Sequence, residues 1–328
     1  MLSWRWIPLS LALLLALTSC SSSQEAETEW STIHTSTDWW MSVYARSATE
    51  QWIVGGTPDG GRILRYDGVA VTEVDHGAAV ARLNWVHGFD SGELIAVGTD
   101  GAVLRSDGTA WSSEPAPTDQ DLWGVWGTST TDVWAVGGDA TVLHDTGNGF
   151  EPVPLPDMER PGVRIFFKVW GSSANDVYIV GQGGAVLRWN GSALEELDVG
   201  VSEDLIGIWG TGPDRIVTVG GRRNGAAALW DGSAWRAVDL TEFPGLNGVW
   251  LDSDVVHIVG NDGTVGEIDF PTGEASITSI DIPVSLHSVT GAGGALTAVG
   301  GDFSTGDQGP FLGQVVTGAF PEEPALTR

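Results

Sequence analysis

Few residues in this chain are spaced for chemistry, and the best placed is its one cysteine. Cys20 closes an N-terminal segment in which Arg5 precedes an apolar run over residues 7–17. A lone cysteine rules out an intramolecular disulfide, and in an exported chain it fits thiol acylation better than redox chemistry. The six histidines, His34, His76, His87, His144, His257 and His287, are scattered, with no H-E-x-x-H run and no cysteine partner for zinc. Asp59, Asp100, Asp139, Asp262 and Asp302 fall in one set of loops, and Asp132, Asp176, Asp214 and Asp254 in another. Calcium uses such oxygens, but no loop has the dense D-x-D-x-D-G spacing of a dedicated site, and turn chemistry accounts for these acids. No G-x-S-x-G, Walker or dinucleotide-binding motif stands in a strand–turn–helix context. The expectation is therefore no catalytic residue, no metal and no cofactor.

The elements that would position any site are legible as a repeat. Residues 122–149 read as three short strands, LWGVWG, DVWAVG and ATVLHD, separated by Gly, Ser, Thr, Asp and Asn. A hydrophobic landmark recurs at Val43, Val86, Val125, Val169, Ile208, Val249 and Val289, with spacings of 43, 39, 44, 39, 41 and 40 residues. Ten or eleven residues after each comes a Val-Gly pair, from Val54-Gly55 through Val136-Gly137 to Val299-Gly300. Three residues before each stands Trp40, Leu83, Leu122, Phe166, Leu205, Leu246 or Leu286. A period near 40 with several short strands per unit predicts an all-β fold, a seven-bladed β-propeller. Each blade is sandwiched between two neighbours, so both its faces are apolar, and ring closure removes most exposed edges. Unit seven ends soon after residues 310–316, whereas residues 30–35 resemble the outer strands that close other units. The N-terminal strand is thus expected to complete the last blade, joining the chain ends.

The units VWGTSTTDVWAVGG and VWGSSANDVYIVGQGGAVLRWNGSA resemble the VWGSSxxDVWAVG-type propeller repeats of many secreted and lipidated bacterial proteins. The likeness spans about residues 30–318, and it implies a binding or scaffold role without catalytic residues to carry over. Units one, two and seven depart from the pattern, with Tyr44, His87 and Thr290 where unit three has Trp126. Leu17-Thr18-Ser19-Cys20 is similar to the lipobox of bacterial lipoproteins, in which the cysteine becomes the lipidated first residue. That resemblance implies a signal peptide over 1–19; a polar tether over 20–29, the propeller over 30–318 and a loose tail over 319–328 are expected to follow it. The other reading is a plain cleavable signal with an incidental cysteine. Ser21 resembles the outer-membrane sorting pattern. The Asp-Gly and Asn-Gly pairs ending the third strands loosely resemble the Asp-box of sialidase-type propellers, but at shorter spacing, and no arginine cluster or Tyr/Glu pair accompanies them.

The formal net charge of −28 argues against nucleic acid and against anionic headgroups, so membrane attachment must come from lipid. Tryptophan abundance invites a sugar-binding hypothesis. Trp126, Trp170, Trp209 and Trp250 recur at one repeat position, however, which fits packing between blades, whereas Trp39, Trp85 and Trp123 fall outside that column and are better candidates for exposure. Arg222-Arg223-Asn224 is a local positive spot, and the loops 302–309 and 152–164 are longer than their counterparts. Arg222, Arg223, Arg160, Arg164, Asp302 and Asp307 are the candidate binding residues, on the face shared by loops entering the first strand and loops joining the second to the third. Tolerated loop drift is the other account. The sequence reading is a monomeric, lipid-anchored envelope propeller, placed at the outer membrane, that binds or assembles other envelope proteins. A carbohydrate-binding protein or glycan-active enzyme is the alternative, and it requires exposed aromatics around paired carboxylates.

Overall fold

The computed structural model describes residues 29–319, apart from 161 and 305. The expected signal segment, nearly all of the expected tether, Cys20 and the expected tail beyond 319 lie outside the described residues. No described helix is long and apolar enough to cross a membrane.

Seven four-stranded antiparallel sheets form the ring. In the third blade the strands run Leu122–Ser129, Asp132–Gly137, Val142–Asp145 and Phe150–Pro152, from the axis outward. The innermost strands of successive blades touch one another all round, and that of the seventh blade, Ser285–Ala292, meets Trp39–Ser47 of the first to complete the circle. The N-terminal strand Glu29–Ser36 lies outermost in the seventh blade, paired antiparallel with Gly313–Ala319. The last blade is therefore built from both ends of the chain, as expected.

Each column of the repeat has a physical task. The residues Trp40, Leu83, Leu122, Phe166, Leu205, Leu246 and Leu286 are at most 1% exposed and anchor each inner strand in the apolar layer between blades. The landmark Val and Ile residues face the axis and line a neck of only about 40 Å³. Position 126 and its equivalents seat the ring on the next blade. A Cβ on Gly88, Gly171, Gly210 or Gly291 would come within 3.0 Å of the ring of Tyr44, Trp126, Trp170 or Trp250, respectively. At the same position His87 places Nε2 3.0 Å from the carbonyl of Gly127 in the following blade, and burial lowers its pKa to about 4, so it is neutral there. These aromatic rings are inter-blade spacers, as their recurrence implied. In the outer hairpins the carboxylate of Asp107 accepts the backbone N–H groups of Thr109 and Ala110 at 2.8 and 2.9 Å, while Gly108 takes a φ of 91°. Asp67, Asn190 and Asp231 repeat this turn.

Candidate functional site

One irregularity recurs in all seven inner strands. Between the buried anchor and the second residue after it, pairing with the neighbouring strand skips a residue, as between Leu122 and Gly124 or Phe166 and Lys168. The same bulge lies between Trp40 and Ser42, Leu83 and Trp85, Leu205 and Gly207, Leu246 and Gly248, and Leu286 and Ser288. A bulged residue leaves the ladder, and its side chain is re-aimed. Here the seven bulged residues are Met41, Asn84, Trp123, Phe167, Ile206, Asn247 and His287, and all seven line one funnel on the axis, with a volume of about 470 Å³. The neck of Val and Ile residues lies next to it, and Lys168 lines both. The columns that build the ring repeat almost without change, but this column holds six residue types in seven blades.

The funnel is cationic and aromatic in an otherwise acidic protein. Lys168, the only lysine in the chain, is 9% exposed. Its ammonium donates to the Trp123 carbonyl at 2.9 Å and lies 4.2 Å from the centre of the Trp85 ring. Burial alone pulls its pKa from 10.5 to about 7. Arg82 lies over the rings of Trp39 and Trp123, at 5.3 and 5.9 Å, and its Nε donates to Asn84 Oδ1 at 3.1 Å. Arg222 lies 5.1 Å from the Phe167 ring and pairs with Asp204 at 2.7 Å. His287 packs edge-on to Phe303 at 4.4 Å. Burial, reinforced by the charges of Lys168 and Arg82, drives the His287 pKa down to about 3. No aspartate or glutamate lines the funnel among the described residues, nor do three metal-ligating side chains gather anywhere among them.

Of the six candidate residues named from the sequence, Arg222 lines the funnel and the other five stand elsewhere. Arg223 is exposed beside it. Arg160 reaches outward to Glu196 and Asp198, at 3.2 and 3.0 Å, and so ties its loop to the rim of the fourth blade. Arg164 holds its loop through backbone bonds, its N–H donating to Gln182 Oε1 and its carbonyl accepting from Ala140. Asp302 caps a turn, its carboxylate accepting the Ser304 N–H at 2.9 Å. Asp307 lies in the turn Gly306–Gln308, its side chain outside the described residues. That long loop contributes an aromatic ring to the funnel instead, through Phe303.

The expectation for the off-column tryptophans needs one correction. Trp39 is not exposed but 1% accessible. The 302–312 segment covers it: Trp39 Nε1 donates to the Asp302 carbonyl at 2.7 Å, and Phe303 and Phe311 pack on the indole. Trp85 and Trp123 are half-buried and line the neck and the funnel. Sequence reasoning also passed over Lys168, Arg82, Phe303 and the bulge column, whose six residue types in seven blades leave no pattern to find.

The Lys168 charge is testable through stability. Its folded pKa lies below the unfolded one, so the penalty for burying the protonated amine is complete below about pH 7 and fades as pH rises towards 10.5. Lys168→Met is therefore expected to raise the melting temperature most below pH 7, with the advantage over wild type shrinking as the pH climbs. Thermal melts across this range decide it, and a gain that is the same at every pH would mean that the amine is solvated.

No family model matches the chain, and neither does any curated protein. Solved structures do match. A catalytically inactive virginiamycin B lyase from Staphylococcus aureus with quinupristin superposes with a TM-score of 0.71 at 12% identity, covering 88% of this chain and 98% of that one. YCF48 bound to a D1 peptide gives 0.63 at 14% identity, over 90% and 97%. The WD40 propeller domain of Doa1 gives 0.66 at 12%, over 90% and 97%. At such identities the likeness establishes the β-propeller fold alone.

Proposed function

We propose that this protein is a non-enzymatic binding scaffold of the bacterial cell envelope, held by a lipid on Cys20, which docks a partner protein on the funnel face. The observation that carries the reading is the bulge column. Seven inner strands each break their ladder at the same place and together present six kinds of side chain to one cavity, while the anchor and axis residues that build the ring stay nearly uniform. A rigid ring with a diversified mouth suits recognition. Two further observations favour binding over glycan hydrolysis. The recurring tryptophans pack on the next blade, and the described funnel wall offers no carboxylate pair to act as acid and base or nucleophile. Among the similar structures, YCF48 is one bound to a peptide; the lyase among them is the reason to test for turnover as well.

The experiment is a crosslinking pull-down from intact cells, comparing wild type with an Arg222→Glu/Trp123→Ala variant. One defined envelope protein, captured by wild type, lost in the variant and bound again as a purified component, is the expected result. Reproducible capture of glycan instead would overturn the scaffold in favour of the carbohydrate reading. The anchor is checked separately. Cys20→Ala is expected to release a soluble periplasmic form, and a variant that still fractionates with the membrane defeats the lipid assignment.

A further inference from the structure

The funnel of the proposed docking face holds a buried cation, Lys168, for which the described wall offers no acid. Lys168 sits at its base, where the only cause shifting its protonation is burial, with no carboxylate contributing. Its ammonium spends one N–H on the Trp123 carbonyl, which leaves two donors. A buried ammonium that meets only a carbonyl and an indole face is poorly compensated, and an incoming anion would offset that penalty directly. The positive field extends across the cavity, since the charges of Lys168 and Arg82 both oppose protonation of His287 on another blade. Asp204 is committed to Arg222 at the mouth. Around the base stand the rings of Trp123, Phe167 and Phe303, with Ile206 and Met41 completing an apolar wall.

This combination selects among anions. A phosphate brings close to two charges and a large desolvation cost into an aromatic cavity. A carboxylate brings one charge, accepts two hydrogen bonds, and can arrive on an apolar body that fills the walls. We propose that the funnel is a binding site for a carboxylate carried on an aromatic or apolar group, with the carboxylate seated over Lys168 beside Arg82 and the body packed between Trp123, Phe167 and Phe303. Two sources offer that chemistry, the C-terminal residue of a partner protein and a free organic acid. The inference rests on the docking reading only for the first source.

Titration calorimetry on the full-length protein in detergent, below about pH 7 so that Lys168 is protonated, tests it with four probes. These are a hexapeptide ending in phenylalanine with a free C-terminus, the same peptide amidated, phenylacetate and inorganic phosphate. The free acid is expected to bind at least about tenfold more tightly than the amide, the usual worth of a charge-assisted hydrogen bond. That difference is expected to vanish in Lys168→Met, while phosphate neither binds nor competes. Peptide binding without phenylacetate binding assigns the site to a chain terminus, and comparable binding of both assigns it to a free acid; each supports the carboxylate site. Equal affinity for acid and amide, binding of neither, or competition by phosphate overturns it. The wild-type comparison of acid with amide does not depend on any variant folding. Titration and pull-down fail separately: acid binding without a captured partner removes the scaffold and keeps the site, and a captured partner without acid binding does the reverse.

Discussion

A chain that begins after Ser36 melts at a markedly lower temperature than the full chain. Glu29–Ser36 pairs with Gly313–Ala319 through seven residue pairs and, among the described residues, is the one strand that joins the N-terminal and C-terminal segments within one sheet. Its side chains do more than complete a ladder. Trp30 packs on the cluster of Val259, Leu286, Val289 and Val316 between the sixth and seventh blades. Ile33 packs on Trp40, Val43, Ile53 and Val315 between the seventh and first. Both side chains are half-buried, so losing them forfeits about 1–2 kcal/mol each. The strand's hydrogen bonds go with them, and Gly313–Ala319 becomes an open edge. The expected loss is about 5 kcal/mol, and the melting temperature falls by about 10 °C or more for a chain of this size. Circular dichroism melts of the shortened and full chains measure it. A melt within a degree or two of the full chain would show that the ring closes without this strand.

Gly137→Ala is the second large effect. The glycine of every Val-Gly pair lies against the residue just ahead of the inner-strand anchor. A Cβ on Gly55, Gly98, Gly137, Gly181, Gly220, Gly260 or Gly300 would lie under 3.0 Å from the carbonyl oxygen of Trp39, Arg82, Asp121, Ile165, Asp204, Gly245 or Ser285, respectively. The constraint is close approach rather than torsion: Gly98 and Gly181 have φ near −160°, extended backbone open to any residue. Because the obstacle is backbone, no rotamer change relieves it. One methyl is expected to cost about 3 kcal/mol, at the upper end for overpacking. Gly60→Ala is the control, since nothing lies within 4 Å of its Cβ position, and it is expected to stay within about 0.5 kcal/mol of wild type. Denaturant titration of both separates the two sites, and equal stabilities would show that this carbonyl contact yields.

These effects concern positions that the one-dimensional pattern already exposes. Repetition made the ring legible: a residue type that returns every 40 or so positions reports a place that each blade must fill alike. Glycine under a carbonyl, leucine between blades, valine at the axis and tryptophan over the next inner strand are all such places. Closure by residues 30–35 was legible for a related reason, since a unit short of one strand at the C-terminus matches a surplus strand at the N-terminus. The candidate site was legible only in part. Arg222 was found because it is conspicuous in an acidic chain, but Arg160, an equally conspicuous cation, turned out to tie down its own loop.

Sequence by itself determined the fold class, the number of blades, the strand that closes the ring and the structural task of the recurring tryptophans, because each follows from local pattern repeated in register. Tertiary structure decided where the functional side chains meet. Arg82, Trp123, Lys168, Arg222, His287 and Phe303 come from the second, third, fourth, fifth and seventh blades, and only closure of the ring brings them to one axis. A bulge shifts pairing by one residue without asking for any particular residue type, so the seven positions that line the funnel leave no signature in the chain. Burial of Trp39 was likewise decided in three dimensions, by a loop more than 260 residues away that folds across it.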